Sequence, residues 1–422
     1  MTKVMRRLWR CSIFAVIFLP IANGLNSAAM IKKSKETIRY IRNTDFLRNR
    51  RYEAFVFLLV FFGFFGYLGY EMGVANLLNT IMNTAWDLLM NTVFFIMGIT
   101  VLTGALGKLM IEFGVVRLLE IVLAPLMRPL FNLPGVASLA GLMTFFSDNP
   151  AIIGLSNDKH YNRYFGKREL VSLTNFGTAF GMGLIVLTFM ARFGYFAPAL
   201  VGFAGAVFGA VVSTRLMQYL IRNKLSDSPK THRNDESGDI TFKSEGSTFE
   251  RFLNALLDGG KSGVDLGLQI IPGVLIISTV IMIITFGPED PSVGYQGLAY
   301  EGVPILPEIG KALNWLFYGL FGFTNPELIA FPITSLGAVG AALSLVKAFI
   351  GQGIITGNEI AVFTAMGMCW SGYLSTHTAM LDTLNFRKLT SKALLAHTIG
   401  GIAAGTFAHY LYVLLSVWIQ FE

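Results

Sequence analysis

The chain has 422 residues, 53% of them hydrophobic and 14% charged, where soluble domains carry about 25% charged residues. Its repeated apolar runs reach about twenty residues, the length that crosses a bilayer as a helix, so a soluble enzyme, a disordered chain and a disulfide scaffold are all excluded. The net charge of +7 sits at the start: residues 1–53 hold twelve Lys/Arg against three Asp/Glu, a balance of +9 that leaves −2 for the rest. A basic segment beside apolar spans is a topology signal and an anionic-lipid contact, and no nucleic-acid partner is expected. Cys11 and Cys369 are too few for a multi-thiolate metal site.

Residues 1–29 read as a signal sequence. Lys3, Arg6, Arg7 and Arg10 precede the apolar stretch Cys11 to Leu25, and Ser27, Ala28 and Ala29 follow. Residues 31–53 are again rich in Lys and Arg. If Cys11 to Leu25 crossed the membrane, one basic cluster would lie outside, against the positive-inside rule. A start at Met30 removes the conflict. Residues 31–53 are then expected to lie as a basic interfacial helix on anionic lipid.

Spans are predicted at 54–76, 85–107, 169–190, 195–221, 262–286, 359–383 and 393–418. Residues 114–131 and 308–322 mix charge with leucine and aromatic residues, as interfacial helices do. Each is followed by an apolar stretch with a polar or helix-breaking interruption. These are 135–156, around Ser147-Asp148-Asn149-Pro150, and 324–350, around Thr334-Ser335-Leu336-Gly337. Such segments are expected to be re-entrant helical hairpins, allowed at membrane depth only where protein or a watery cavity satisfies the backbone. Between the halves, 223–250 holds ten charged residues in 28 and is expected to be a flexible cytoplasmic linker. The organisation is thus 1–53 as an N-terminal segment, 54–84 as a peripheral transmembrane helix with its connection, 85–222 as a first repeat, and 251–422 as a second.

The repeat is visible at an offset of 190. Residues 130–177 share nine identities with 320–367, among them Glu169/Glu359, Thr174/Thr364 and Gly177/Gly367. With 31–53 inside, Lys159, Arg163, Lys167 and Arg168, the linker, and Arg387, Lys388 and Lys392 all fall inside. The acidic loop 287–308 falls outside. The K/R bias is obeyed, and the two repeats come out inverted. Inverted repeats with a binding site at their interface are a common plan of secondary transporters.

The fold class expected is therefore an all-α polytopic membrane protein made of two inverted repeats. Each repeat has an interfacial helix, a re-entrant helical hairpin and following transmembrane helices. That order of elements resembles the architecture of concentrative nucleoside transporters. The run FFSDNPAIIGLSNDKHYNRYFGKRELVSLTNFGTAFGMGLIV resembles the bacterial nucleoside recognition (Gate) domain membrane proteins. The resemblance implies a substrate site built from both hairpin tips and the spans after them. By position, these are Thr144, Ser147, Asp148 and Asn149; Thr174, Asn175 and Thr178; Thr334 and Ser335; and Thr364, Ser371 and Ser375. It also implies a coupling Na+ or H+, no other cofactor, and a trimer. The glutamate-bearing tip motifs of the nucleoside transporters are missing, and Asp148 is the only acidic residue at a tip.

The residues themselves leave alternatives. Asn149 before Pro150 can N-cap a half-helix whose free N–H groups face a cavity, or simply end a helix. Asp148 is costly at membrane depth unless it binds a cation, a donor on a substrate, or a basic side chain. Thr174, Thr178 and Gly181 form one stripe, able to hold a polar ligand or to pack helices closely. Ser371-Gly372 can break its helix. His377 is a candidate proton relay or a hydrogen-bonded packing residue; His397 and His409 read as structural. Glu169 and Glu359 suit helix starts.

The expected function is secondary active transport of a small polar metabolite, nucleoside-like or a carboxylated heterocycle, across a bacterial inner membrane. The alternatives are a non-transporting partner in a hetero-complex and an intramembrane enzyme using Asp148 and His377. No Walker sequence is present, so no nucleotide-driven engine is built in.

Overall fold

The computed structural model describes residues 45–225 and 246–418. The expectations for 1–44 and for most of the linker, 226–245, lie outside the described residues. The chain is an all-α polytopic membrane protein, with no strand among the described residues. Among the described residues, six helical stretches are long and apolar enough to cross a membrane: Arg50–Met72, Val74–Glu112, Lys167–Arg192, Phe196–Ile221, Thr248–Ile283 and Arg387–Ser416. Two units are present, 1–70 and 71–422. Helix α1 (Asp45–Met72) carries the first, and everything below concerns the second.

The second unit starts with a long broken rod. Helix α2 (Val74–Asp87) runs through a π-helical segment, Leu88–Val93, into α3 (Phe94–Glu112). Asn91 donates to the Asp87 carboxylate at 2.6 Å across that segment. This rod is longer than the expected span 85–107: it runs from Gly73 (φ 80) to just before Gly114 (φ 75), the positive-φ glycines that bound it, and Gly98, Gly104 and Gly107 stay within the helix. Helix α4 (Val115–Phe131) follows the left-handed Gly114 and carries the Arg117–Glu120 ion pair at 2.6 Å. Then come α5 (Ala137–Phe146) and α6 (Pro150–Asn157), separated by a break at 147–149.

Helices α7 (Lys167–Thr178) and α8 (Gly183–Arg192) are one span interrupted at 179–182, and α9 (Phe196–Ile221) closes the half. The α7–α8 stretch is the most enclosed: 89% of its apolar window is buried, against 28–50% for the other long stretches of this unit. It forms core rather than lipid-facing wall.

The second half opens with α10 (Thr248–Pro272), a π-helical segment, Gly273–Ser278, and α11 (Thr279–Ile283). The helix starts well before the expected 262. Ser247 and Glu250 form a capping box in which the Glu250 carboxylate accepts the Ser247 N–H at 2.8 Å. Two short helices, α12 (Ile305–Ala312) and α13 (Asn314–Phe321), occupy the interfacial stretch. They lead to α14 (Ala330–Gly337), a break at Ala338, and α15 (Val339–Gly351). Helices α16 (Gly357–Cys369) and α17 (Tyr373–Thr383) are again one span broken at 370–372, and α18 (Thr390–Ser416) ends the described chain.

One broken span in each half shares its helix starts at an offset of 190 residues. Helices α7 and α8 begin at 167 and 183, and α16 and α17 begin 190 residues later, at 357 and 373. The break residues Met182 (φ 56) and Gly372 (φ 63), also 190 apart, are both left-handed. Both α7 and α16 start on a glutamate that accepts a backbone N–H: Glu169 from Gly166 at 2.8 Å, Glu359 from Thr356 at 2.7 Å.

Two antiparallel pairs join the halves. In one, Gly104 of α3 meets Gly259 of α10, and Thr100 meets Gly263. In the other, Gly205 and Gly209 of α9 meet Ala404 and Gly400 of α18. Small residues at these crossings let backbones touch, which is how helices associate where lipid supplies no hydrophobic drive.

The loop 287–304 is tied to α2 rather than free. Asn76 and Asn83 donate to the carbonyls of Tyr295 and Gly297, each at 2.8 Å. The Tyr300 hydroxyl donates to Asp87. Burial first, and then that carboxylate, push the Tyr300 phenol well above its usual range, so it stays a donor. Glu301, 1% exposed, accepts the N–H groups of Gln296, Gly297 and Leu298 at 2.8–3.0 Å. Glu301→Gln keeps one acceptor oxygen for the three N–H groups but loses the charge that strengthens those bonds, at a cost of about 1 kcal/mol. Hydrogen exchange at the amides of 296–298 is expected to accelerate accordingly, with exchange inside α7 unchanged.

Candidate functional site

Both broken segments end in one cavity of about 370 Å³. The first contributes Asp148, Asn149 and Pro150; the second contributes Gly337 to Gly340. Helix α10 and its π segment supply Gln269 and Gly273. The two left-handed breaks supply Met182 on one side and Ser371, Gly372, Ser375 and Thr376 on the other.

Asn149 is the joint. Its backbone is already helical (φ −50, ψ −33) and its side chain caps nothing. Instead Nδ2 donates to Ser371 Oγ at 3.0 Å and to the Asp148 carboxylate at 3.2 Å. The amide lies between two glycines. A Cβ at Gly181 would stand 2.4 Å from Nδ2, and one at Gly372 would stand 2.6 Å from it. At Gly372 the positive φ is a further reason for glycine. Asn149 is 4% exposed, and its Oδ1 has no partner.

The other expected site residues divide. Asp148, Asn149, Ser371 and Ser375 line the cavity; Ser147, exposed, stands just before the lining at the same break. Thr144 lies buried in α5, its hydroxyl tied to the Ala140 carbonyl at 2.9 Å. Thr334 and Ser335 lie inside α14, before the break, and donate to the carbonyls of Ala330 and Phe331 at 2.6 and 2.9 Å. The second break comes later, at Ala338, because the polar pair satisfies itself within the helix. Thr178 donates to the Thr174 carbonyl at 2.6 Å. Thr174 and Thr364, 190 apart, are both fully buried with hydroxyls that no group meets.

Behind the cavity runs a polar chain that the sequence did not reveal. His397 Nε2 bonds the Cys369 carbonyl, which only accepts, so Nε2 carries the proton and Nδ1 is an acceptor. The Ser213 hydroxyl therefore donates to Nδ1 at 2.9 Å, and Asn175 Nδ2 donates to Ser213 Oγ at 2.9 Å and to the Ala393 carbonyl at 2.9 Å. Helices α7, α9, α16 and α18 are thereby pinned together. His377 leans on His397, ring centroids 4.5 Å apart; its Nδ1 donates to the Tyr373 carbonyl at 2.7 Å and its buried Nε2 has no partner. His377 follows the lining residue Thr376 but does not itself line the cavity. Among the described residues, no three His, Cys, Asp or Glu side chains gather as a metal site.

A solved structure of a double variant of the concentrative nucleoside transporter CNTnw, in an outward-facing state, superposes with a TM-score of 0.50 at 12% identity, over 88% of each chain. The chain has the fold of a concentrative nucleoside transporter. A CNTnw variant in an intermediate state scores 0.49, also at 12% identity and 88% of each chain. By sequence, an uncharacterised protein of Alkalihalophilus pseudofirmus is 24% identical over 256 residues, 55% of this chain. The chain spans about half (53%) of that relative's length. No family model matches.

Proposed function

We propose that the protein is a secondary active transporter of a small polar metabolite, driven by a proton or sodium gradient, in a bacterial inner membrane. One observation carries this reading. The ends of two broken segments and the two left-handed breaks, one of each from either half, close on a single cavity whose polar groups are not all satisfied by protein. The two halves act as inverted repeats, and the segments 135–156 and 324–350 act as re-entrant hairpins. The 190-residue correspondence of α7–α8 with α16–α17 and the antiparallel pairing of helices from the two halves support that view. Alternating access then consists of one hairpin-bearing bundle moving against the other around the cavity. Asp148 is a candidate either for coupling or for holding a cationic group of the substrate. His377, with its free Nε2 just behind the lining, is the second candidate for coupling. A trimer and an anionic-lipid contact at 31–53 belong to the same reading.

Reconstitution into proteoliposomes tests it. Labelled nucleosides, amino acids, dipeptides and small heterocyclic acids are offered under an imposed sodium gradient, an imposed proton gradient, and neither. Uptake of one class above the no-gradient control is expected. Folded protein that moves none of them under either gradient contradicts the proposal.

A further inference from the structure

The cavity has two electrical poles and no basic side chain. Its lining holds one carboxylate, Asp148, and no Lys, Arg or His. Among the described residues no basic group pairs with Asp148, and the Asn149 amide donates to it. A carboxylate taken out of water without a counter-charge is costly. Beside it, the buried Asn149 Oδ1 is a second acceptor awaiting a donor. This pole asks for a cationic donor.

The second pole is the start of α15. This helix has thirteen residues, its N-cap position is Ala338, and no side chain caps it. Gly337, Ala338, Val339 and Gly340 all line the cavity, and none carries a polar side-chain atom. The first-turn N–H groups have no partner within their own helix, and the dipole puts positive potential there. Elsewhere in the chain, Ser247 and Thr356 cap the comparable ends of α10 and α16. This pole asks for a carboxylate.

We propose that the substrate is a small zwitterion of the amino-acid or dipeptide class, its ammonium group at Asp148 and Asn149 Oδ1 and its carboxylate at the start of α15. The assignment rests on the transporter reading of the same cavity and names its substrate class. A lone anion leaves Asp148 unmatched, and a lone cation leaves the α15 N–H groups unmatched. A zwitterion answers both and adds no net charge to a site at membrane depth. The volume of about 370 Å³ is at the small end of ligand pockets, roughly 300–1,000 Å³.

The test is thermal unfolding of the purified full chain in detergent. The probes are free amino acids and dipeptides, their N-acetyl derivatives, their C-terminal amides, and uncharged nucleosides. A ligand of the folded state raises the transition. Free zwitterions are expected to raise it, and the acetyl and amide derivatives to lose most of the shift.

Asp148→Asn is expected to weaken the zwitterion by tenfold or more, on the order of a lost charge-assisted hydrogen bond. Ala338→Ser supplies the missing cap. It is expected to raise the unliganded transition, which shows that it folds, while weakening carboxylate-bearing ligands about two- to fivefold. Nucleosides that shift the transition while zwitterions do not would overturn the charge assignment and leave transport standing. An N-acetyl acid as effective as the free zwitterion in sodium buffer would also overturn it, in favour of an anion with a separate cation at Asp148. Inert zwitterions together with no gradient-driven uptake would sink both readings.

Discussion

Asn149→Ala is expected to lower gradient-driven uptake by roughly ten- to hundredfold while leaving a folded, membrane-inserted protein. The amide joins the first broken segment to the break in the α16–α17 span through Ser371, and it lies against Gly181 of the α7–α8 break. Alanine keeps the helical backbone of residue 149 but leaves Ser371 Oγ without its donor and empties the slot between the two glycines. Unmatched buried polar groups cost about 1–3 kcal/mol each, and here the loss falls on the element that shapes the cavity. Uptake kinetics in proteoliposomes read the effect, with thermal unfolding measured beside them. Gly181→Ala approaches the same slot from the other side, since its Cβ would sit 2.4 Å from Asn149 Nδ2, and should give the same loss of uptake. Wild-type uptake in Asn149→Ala would mean that the tip does not belong to the transport site.

The first break was legible because Pro150 forces the issue. Proline cannot continue a helix from 146, and it fits at the first position of a new one. What the sequence could not show is that Asn149 turns away from its own helix, because Ser371 is 222 residues distant. The second break, at Ala338, has no proline beside it. Thr334 and Ser335 looked like an interruption, yet membrane helices absorb hydroxyls by bonding them to the preceding turn, and the chain breaks three residues later.

The break at Met182 had only an indirect signal, its flanking Gly181 and Gly183, since a left-handed methionine is uncommon and tertiary packing imposes it. Its partner at Gly372 was readable from Ser371-Gly372. The offset of 190 would have transferred the one to the other had the repeat been applied to backbone shape as well as to identities. His397 looked structural, and its bonds to Cys369 and Ser213 hold four helices together. Its closeness to His377 follows from how α17 and α18 pack, which no spacing along either helix encodes.

Gly263→Val carries the largest expected cost to folding, about 3 kcal/mol or more, with a matching loss of folded yield in detergent. At this crossing α3 and α10 meet backbone to backbone. A Cβ on Gly263 would lie 2.3 Å from the Thr100 carbonyl oxygen and 2.5 Å from Val101 Cα, atoms that cannot step aside without moving the whole helix. The contact is also a hydrogen bond, Thr100 Oγ1 to the Gly263 carbonyl at 2.7 Å, so separating the helices breaks it. Gly104 and Gly259 are in the same position one turn along, each with its Cβ direction closed by the other's carbonyl at 2.6 and 2.4 Å. The α3–α10 crossing therefore needs its glycines for contact, not for flexibility. Gly98 on α3 is the control: nothing stands within 4 Å of its Cβ position, so Gly98→Ala should be neutral or gain up to about 1 kcal/mol from helix propensity. Parallel melting curves of the two variants separate a packing requirement from a general intolerance of change on these helices. If Gly263→Val melts with the wild type, α3 and α10 do not cross where Thr100 meets Gly263, and the pairing of the two halves along this edge is wrong.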